Sequence, residues 1–327
     1  MKGIFVKVLV LALLCGSFSS CLNKETPVPL KPKGEATSGA IDMSEDYRWQ
    51  VYFSFKNNIM VGKNLITAWD LGFEATPEGR RVILNGAKFR MAVYPVNKSQ
   101  LSDVNISDTT GVASRIDMPS GSLDSTAIGE WKPGNIFILN RGTDESGADL
   151  GICKIQIVSV DEKKYLVRFA DFNGSGEKTI EISKDEDYNF SFLSFDNGGK
   201  TLIVEPPKAE WDIAFTKYTH LYYDLDLRYS VVGCLLNHYK TAAGVETESK
   251  TFEEIDLKKA AKVDLSSLTS SIGFEWKSYN INAGKFTVDA TRFYIIRDQQ
   301  DVFYKLRFVD FYNNGIKGNP QFEFQRL

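Results

Sequence analysis

The chain has 327 residues, with 39 basic against 42 acidic side chains and a formal net charge of -3. The two signs are interspersed and form no basic stripe, so nucleic-acid binding has no electrostatic support. Only two histidines occur, which starves most general-base mechanisms, and aromatic residues at 13% with few long helical patterns lean toward β structure.

Residues 1–20 read as a secretory signal. Met1 and Lys2 precede an apolar run from Ile4 to Leu14 broken only by Lys7, and Gly16-Ser17-Phe18-Ser19-Ser20 leads to Cys21. The run is shorter than the roughly 20 residues needed to span a bilayer. Small residues before Cys21 give a peptidase access to the bond, so Cys21 is the expected lipid-attachment residue. Phe18 stands where a leucine is usual. The plainer alternative is an ordinary signal peptide followed by a chance cysteine. Acyl chains contribute about 0.8 kcal/mol per buried methylene, so several hold a protein on a membrane.

Residues 21–45 carry Pro27, Pro29, Pro32, Gly34 and Gly39 and few large apolar side chains, the composition of an extended, lipidated tether. Lys24-Glu25 after Cys21 hints at export to the cell surface rather than retention on the periplasmic face of the outer membrane.

The folded part repeats itself. Ser54-Phe55-Lys56-Asn57 is matched by Ser194-Phe195-Asp196-Asn197, Trp69-Asp70-Leu71-Gly72-Phe73 by Trp211-Asp212-Ile213-Ala214-Phe215, and Glu130-Trp131-Lys132 by Glu275-Trp276-Lys277. Tyr165-Leu166-Val167-Arg168-Phe169-Ala170-Asp171-Phe172 is matched by Tyr304-Lys305-Leu306-Arg307-Phe308-Val309-Asp310-Phe311. The order is kept and the offsets run from 139 to 145 residues, so two copies are expected, 46–186 and 187–327.

Each copy reads mostly as strands. Ile152 to Val160 alternates and ends in the turn Asp161-Glu162-Lys163. Phe293 to Arg297 and Val302 to Val309 form a hairpin around Asp298-Gln299-Gln300-Asp301. Alternation puts Tyr304, Leu306, Phe308 and then Asp310 on one face. Thr251 to Ala261 lacks glycine and proline and fits a short or irregular helix. The fold class expected is all-β, two tandem antiparallel domains with few short helices.

No P-loop, Gly-x-Ser-x-Gly, His-Glu-x-x-His or Cys-x-x-Cys occurs, so no enzyme is expected. Asp70 and Asp212 each follow a tryptophan at a strand start. They read as corners whose carboxylates accept backbone N–H groups while the indole enters the core. Arg168 and Arg307 read as strand residues paired with acids. Cys153 and Cys234 sit in apolar runs: export permits a disulfide between them, whereas their surroundings suit buried free thiols.

The densest candidate surface is Tyr218, Tyr222, Tyr223 and Tyr229 around His220. Such a cluster could line a flat, apolar ring with His220 as a metal ligand, or form a tyrosine-rich sheet face. His238, in the loop-like Asn237-His238-Tyr239-Lys240, is a second candidate. Met43, Met60, Met91 and Met118 offer sulfur, though methionine is usually core filler.

The lipoprotein signal, the tether, Trp211-Asp212-Ile213-Ala214-Phe215 and the ending from Tyr304 to Leu327 together resemble the HmuY family. The resemblance implies an all-β outer-membrane lipoprotein that captures haem, with haem, a haem-carrying protein and an outer-membrane receptor as partners besides the lipid bilayer. It also implies iron ligation by a histidine pair or, in some relatives, a methionine pair. One such histidine directly follows the Trp-Asp-Ile-Ala-Phe segment; this chain has Thr216 there and Glu74 in the first copy. The alternative is an interaction or scaffold lipoprotein of the same fold that binds no haem.

Overall fold

A computed structural model describes residues 34–327, so the signal segment and Cys21 lie outside the described residues. Strands are numbered in chain order, and neighbours within each sheet run antiparallel. Sheet I has the order β1-β20-β19-β18-β15, built from Thr37–Ala40, Ile316–Arg326, Phe303–Asn313, Phe293–Arg297 and Ala242–Glu246. Sheet II has the order β10-β9-β8-β7-β6, from Lys178–Ser183, Lys164–Asp171, Ile152–Val160, Ile136–Asn140 and Ala92–Val96.

Two smaller sheets lie between them. Sheet III runs β12-β11-β4-β5, from Lys200–Leu202, Phe190–Ser194, Leu71–Glu74 and Val82–Leu84. Sheet IV runs β14-β13-β2-β3, from Leu227–Leu236, Ile213–Tyr222, Trp49–Ser54 and Ile59–Leu65. A separate hairpin pairs β16 (Lys277–Asn280) with β17 (Lys285–Val288).

One face of each central sheet is apolar and buries against an outer sheet. Sheets I and IV share a core holding Phe53, Phe215, Phe308, Phe322 and Trp276, the last stacked on Phe308 at 4.0 Å. Sheets II and III share a second core, in which Phe73 meets Tyr165 at 5.1 Å and Phe169 meets Phe195 at 5.0 Å. Burying such a ring contributes roughly 1.5–3 kcal/mol, so these two cores carry the fold.

The chain segments do not divide between the sandwiches as the sequence copies do. β11, from 187–327, pairs with β4, and β2, from 46–186, pairs with β13. The sandwich of sheets II and III is thus built from β4 to β12. That of sheets I and IV gathers β1 to β3, β13 to β15 and β18 to β20.

The repeated Trp-Asp explains the exchange. Asp70 Oδ2 accepts the N–H of Phe195 at 2.8 Å, and Asp212 Oδ2 accepts that of Phe55 at 2.7 Å. Each copy's corner therefore caps the Ser-Phe strand end of the other copy. Trp69 and Trp211 are buried beside them, edge-on to Phe192 and Tyr52 at 4.8 and 4.9 Å.

Three expectations need correction. Residues 37–40, read above as tether, form β1, which packs so tightly that a Cβ at Gly39 would meet the Phe322 ring at 2.4 Å. The 165–172 and 304–311 segments are not structural counterparts, since β9 is second in its sheet and β19 is third. The counterpart of β19 is β8: Lys154 and Lys305 are both buried and donate to loop carbonyls, Leu101 O for the first and Phe252 O and Ile255 O for the second. A register shift between Phe308 and Asp310 breaks the alternation, so Phe311 turns into the core and Asp310 stays exposed.

Elsewhere the pattern reads through. The 293–297 and 303–313 strands pair as a hairpin. Within Thr251 to Ala261 only Leu257–Ala260 is helical (α1), capped by Asp256 accepting Lys259 N–H. Arg168 faces Glu177 at 3.9 Å and Arg307 faces Glu323 at 2.6 Å. Cys153 and Cys234 are buried, unbridged and in different sheets.

Candidate ligand cavity between the two central sheets

Sheets III and IV turn their second faces toward each other, and a cavity of about 180 Å³ lies there. The pseudo-symmetry of the copies is visible in its walls. Trp69 with Phe192 on one side answers Trp211 with Tyr52 on the other. The segment Ile116 to Ser122, from the long connection between β6 and β7, closes one side.

Successive residues of a strand alternate between faces. On β13 this places Ala214, Thr216 and Tyr218 on the cavity wall, while Ile213 and Phe215 enter the core of sheets I and IV. Thr216, where the family resemblance looks for a histidine, thus faces the cavity; its hydroxyl donates to Lys217 O at 3.0 Å. Glu74, its counterpart, lies outside the lining and accepts the N–H groups of Arg80 and Arg81 at 2.9 and 3.1 Å.

His238 is positioned by its neighbour. The Asn237 side chain donates to Lys208 O and Trp211 O and accepts Tyr239 N–H, pinning the turn after β14 so that the imidazole meets the cavity. The ring sits edge-on to Phe190 at 5.3 Å. Neither ring nitrogen has a hydrogen-bond partner among the described residues, and burial pushes its pKa down to about 4, so it is neutral at pH 7. Tyr218 is buried, its hydroxyl likewise has no such partner, and burial holds it protonated well above the ordinary range.

Three charged side chains complete the lining. Lys88 is fully buried and paired with Asp70 at 2.6 Å. Glu205 accepts Asn189 N–H at 2.7 Å and Phe190 N–H at 3.0 Å; Asp117 accepts Leu84 N–H and Ala127 N–H, both at 2.7 Å. Neither of these carboxyls has an ion-pair partner among the described residues, and desolvation pushes each up to about 7.

The remaining candidates fall elsewhere. His220 and Tyr222 continue the same face of β13 beyond the cavity, with rings 4.9 Å apart and Phe274 4.9 Å from the imidazole. Tyr223 and Tyr229 are exposed on the arm that β13 and β14 extend past β2. Met91 and Met118 line the cavity, Met43 is core and Met60 is exposed. Sequence reasoning overlooked Glu205 and Asp117, for which an isolated acid carries no local signal.

Haem can be tested against this geometry. His238, Met91 and Met118 are chemically suitable iron donors, but about 180 Å³ is below the roughly 300–1,000 Å³ of pockets for drug-sized ligands. As placed, these residues do not enclose a porphyrin.

Two antiparallel sandwiches with a lined cavity between their inner sheets define a β-sheet binding protein. A model of the HmuY protein matches residues 46–324, and the chain belongs to the HmuY family. Among solved structures, apo PinO from Porphyromonas gingivitis is similar at 10% identity, over 90% of this chain and 97% of that one, with a TM-score of 0.34. The apo HmuY analog of Tannerella forsythia is similar at 9% identity, over 91% and 98% of the two chains, with a TM-score of 0.34. No curated protein sequence matches significantly.

Proposed function

We propose that this HmuY-family chain is a cell-envelope lipoprotein, anchored through Cys21 at the outer-membrane surface, that captures a ligand in the cavity between sheets III and IV. The observation that carries the reading is the neutral imidazole of His238 at that cavity, which has no hydrogen-bond partner among the described residues. A ligand that hydrogen-bonds this imidazole gains about 0.5–1.5 kcal/mol.

Haem is the ligand that family membership brings forward. Its capture requires the 116–122 segment to swing out, leaving His238 and Met91 at the opened wall. The test is a haem titration of the purified protein, followed at the Soret band under oxidising and reducing conditions. A shift that His238→Ala abolishes and His220→Ala leaves intact supports capture at the cavity. A shift lost only with His220→Ala moves the site to the arm of β13 and β14. No shift in the parent protein removes haem.

A second reading, a surface interaction protein that binds no haem, is favoured by the exposed Tyr223, Leu225, Leu227 and Tyr229 on that arm. Large exposed apolar side chains gathered at one place mark contact surfaces.

A further inference from the structure

We infer that the cavity selects a compact organic cation, an aromatic or aliphatic ammonium of about the size of benzylammonium. The inference rests on the cavity being the ligand site and adds the chemical class of its occupant.

The first ground is charge. Glu205 and Asp117 both line the cavity, are bonded to backbone N–H groups, and have no ion-pair partner among the described residues. The one cationic side chain of the lining, Lys88, is spent on Asp70. A buried carboxylate without a counter-charge is costly, and a ligand cation supplies the missing charge. Burial pushes both carboxyls up to about 7, and an arriving ammonium would draw them back to the ionised form.

The second ground is independent of the acids. Neutral His238 offers an acceptor nitrogen without a partner among the described residues, so an ammonium can donate to it. The walls supply the rings of Trp69, Trp211, Tyr52, Phe190 and Phe192. Aromatic faces attract desolvated cations, the principle behind cages for ammonium ligands.

Size sets the third limit. A cavity of roughly 150 Å³ holds benzene in an engineered protein, so about 180 Å³ suits a ring bearing one short substituent.

The experiment is a calorimetric titration of the purified full chain at pH 7 with benzylamine, benzyl alcohol and sodium benzoate, three ligands of one shape and different charge. The expected result is binding of benzylammonium at least about ten-fold tighter than benzyl alcohol, as hydrogen bonds to charged groups predict, with benzoate weakest. Its heat should also depend on the buffer's ionisation enthalpy, because the carboxyls release protons on binding. Glu205→Gln should weaken benzylammonium roughly ten- to a hundred-fold and leave benzyl alcohol nearly unchanged. Asp117→Asn provides the same comparison if the first variant does not fold. Equal or tighter binding of benzyl alcohol or benzoate overturns the cation inference and leaves the cavity as a site. Failure of all three to bind overturns the inference and the cavity reading together.

Discussion

The two Trp-Asp corners are built alike and neutralised differently, and that contrast can be measured. Asp70 is fully buried and holds Lys88 Nζ at 2.6 Å and Arg141 Nε at 3.0 Å, besides Phe195 N–H. Asp212 is also buried, but its neighbours are Phe55 N–H and the Gln299 amide, with no cation paired to it among the described residues. Asp70→Asn keeps the acceptor for Phe195 and removes the charge, leaving the fully buried Lys88 without its carboxylate, while Arg141 retains Asp196 at 2.6 Å. Removing one member of a buried pair costs about 3–5 kcal/mol. Asp212→Asn leaves no orphaned charge and should cost under about 1 kcal/mol, the scale of one neutral hydrogen bond. Against a typical total of about 5–15 kcal/mol, the first loss is large and the second small. Urea unfolding of both variants, followed by tryptophan fluorescence and circular dichroism, gives the two midpoints. Equal shifts, or a larger one for Asp212→Asn, would refute the assignment of ion pairing to one corner alone.

The uncompensated corner also has a pH signature. Burial raises the Asp212 carboxyl from 3.8 to about 7, so between those values the folded chain holds a proton that the unfolded chain lacks. Stability therefore falls as pH rises from about 4 to about 7, and Asp212→Asn should flatten part of that slope in melting curves; an unchanged slope counts against it. His238 has the opposite sense: its pKa is lowered to about 4, so the unfolded chain takes up the extra proton as pH falls below 6.5. Stability drops between pH 6.5 and 4, and His238→Asn should remove part of that acid loss, read from the same melting series. Burial pushes the Cys153 and Cys234 thiols well above their ordinary range. A thiol reagent at pH 8 should therefore label neither in the folded chain and both in urea, and rapid labelling before unfolding would contradict their placement.

Much of the fold was legible because strands with one buried face must alternate. That rule identified β8 and the β18–β19 hairpin, while the repeated Trp-Asp marked the corners and, with the ending from Tyr304, carried the likeness to the HmuY family. The same rule explains the mistaken pairing of 165–172 with 304–311. Any central strand facing an aromatic core reads as alternating aromatic, basic and aliphatic residues, so β9 and β19 look alike without being equivalent. The tyrosine cluster misled similarly. Its density drew attention to His220, whereas of that cluster the pleat of β13 turns Tyr218 onto the cavity wall, beside Ala214 and Thr216, and carries His220 past its edge.

From sequence alone come the all-β class, the repeated motifs and the family, because each depends on local composition or spacing. Tertiary structure alone decided that the copies exchange their Ser-Phe strands, since Asp70 and Phe195 are 125 positions apart and meet only in the folded chain. It likewise decided that His238, Glu205 and Asp117, from three distant turns, line one cavity. Local pattern specifies which face of a strand is apolar. Which sheet that face meets is settled by long-range pairing, and the cavity arises where two such faces remain incompletely filled.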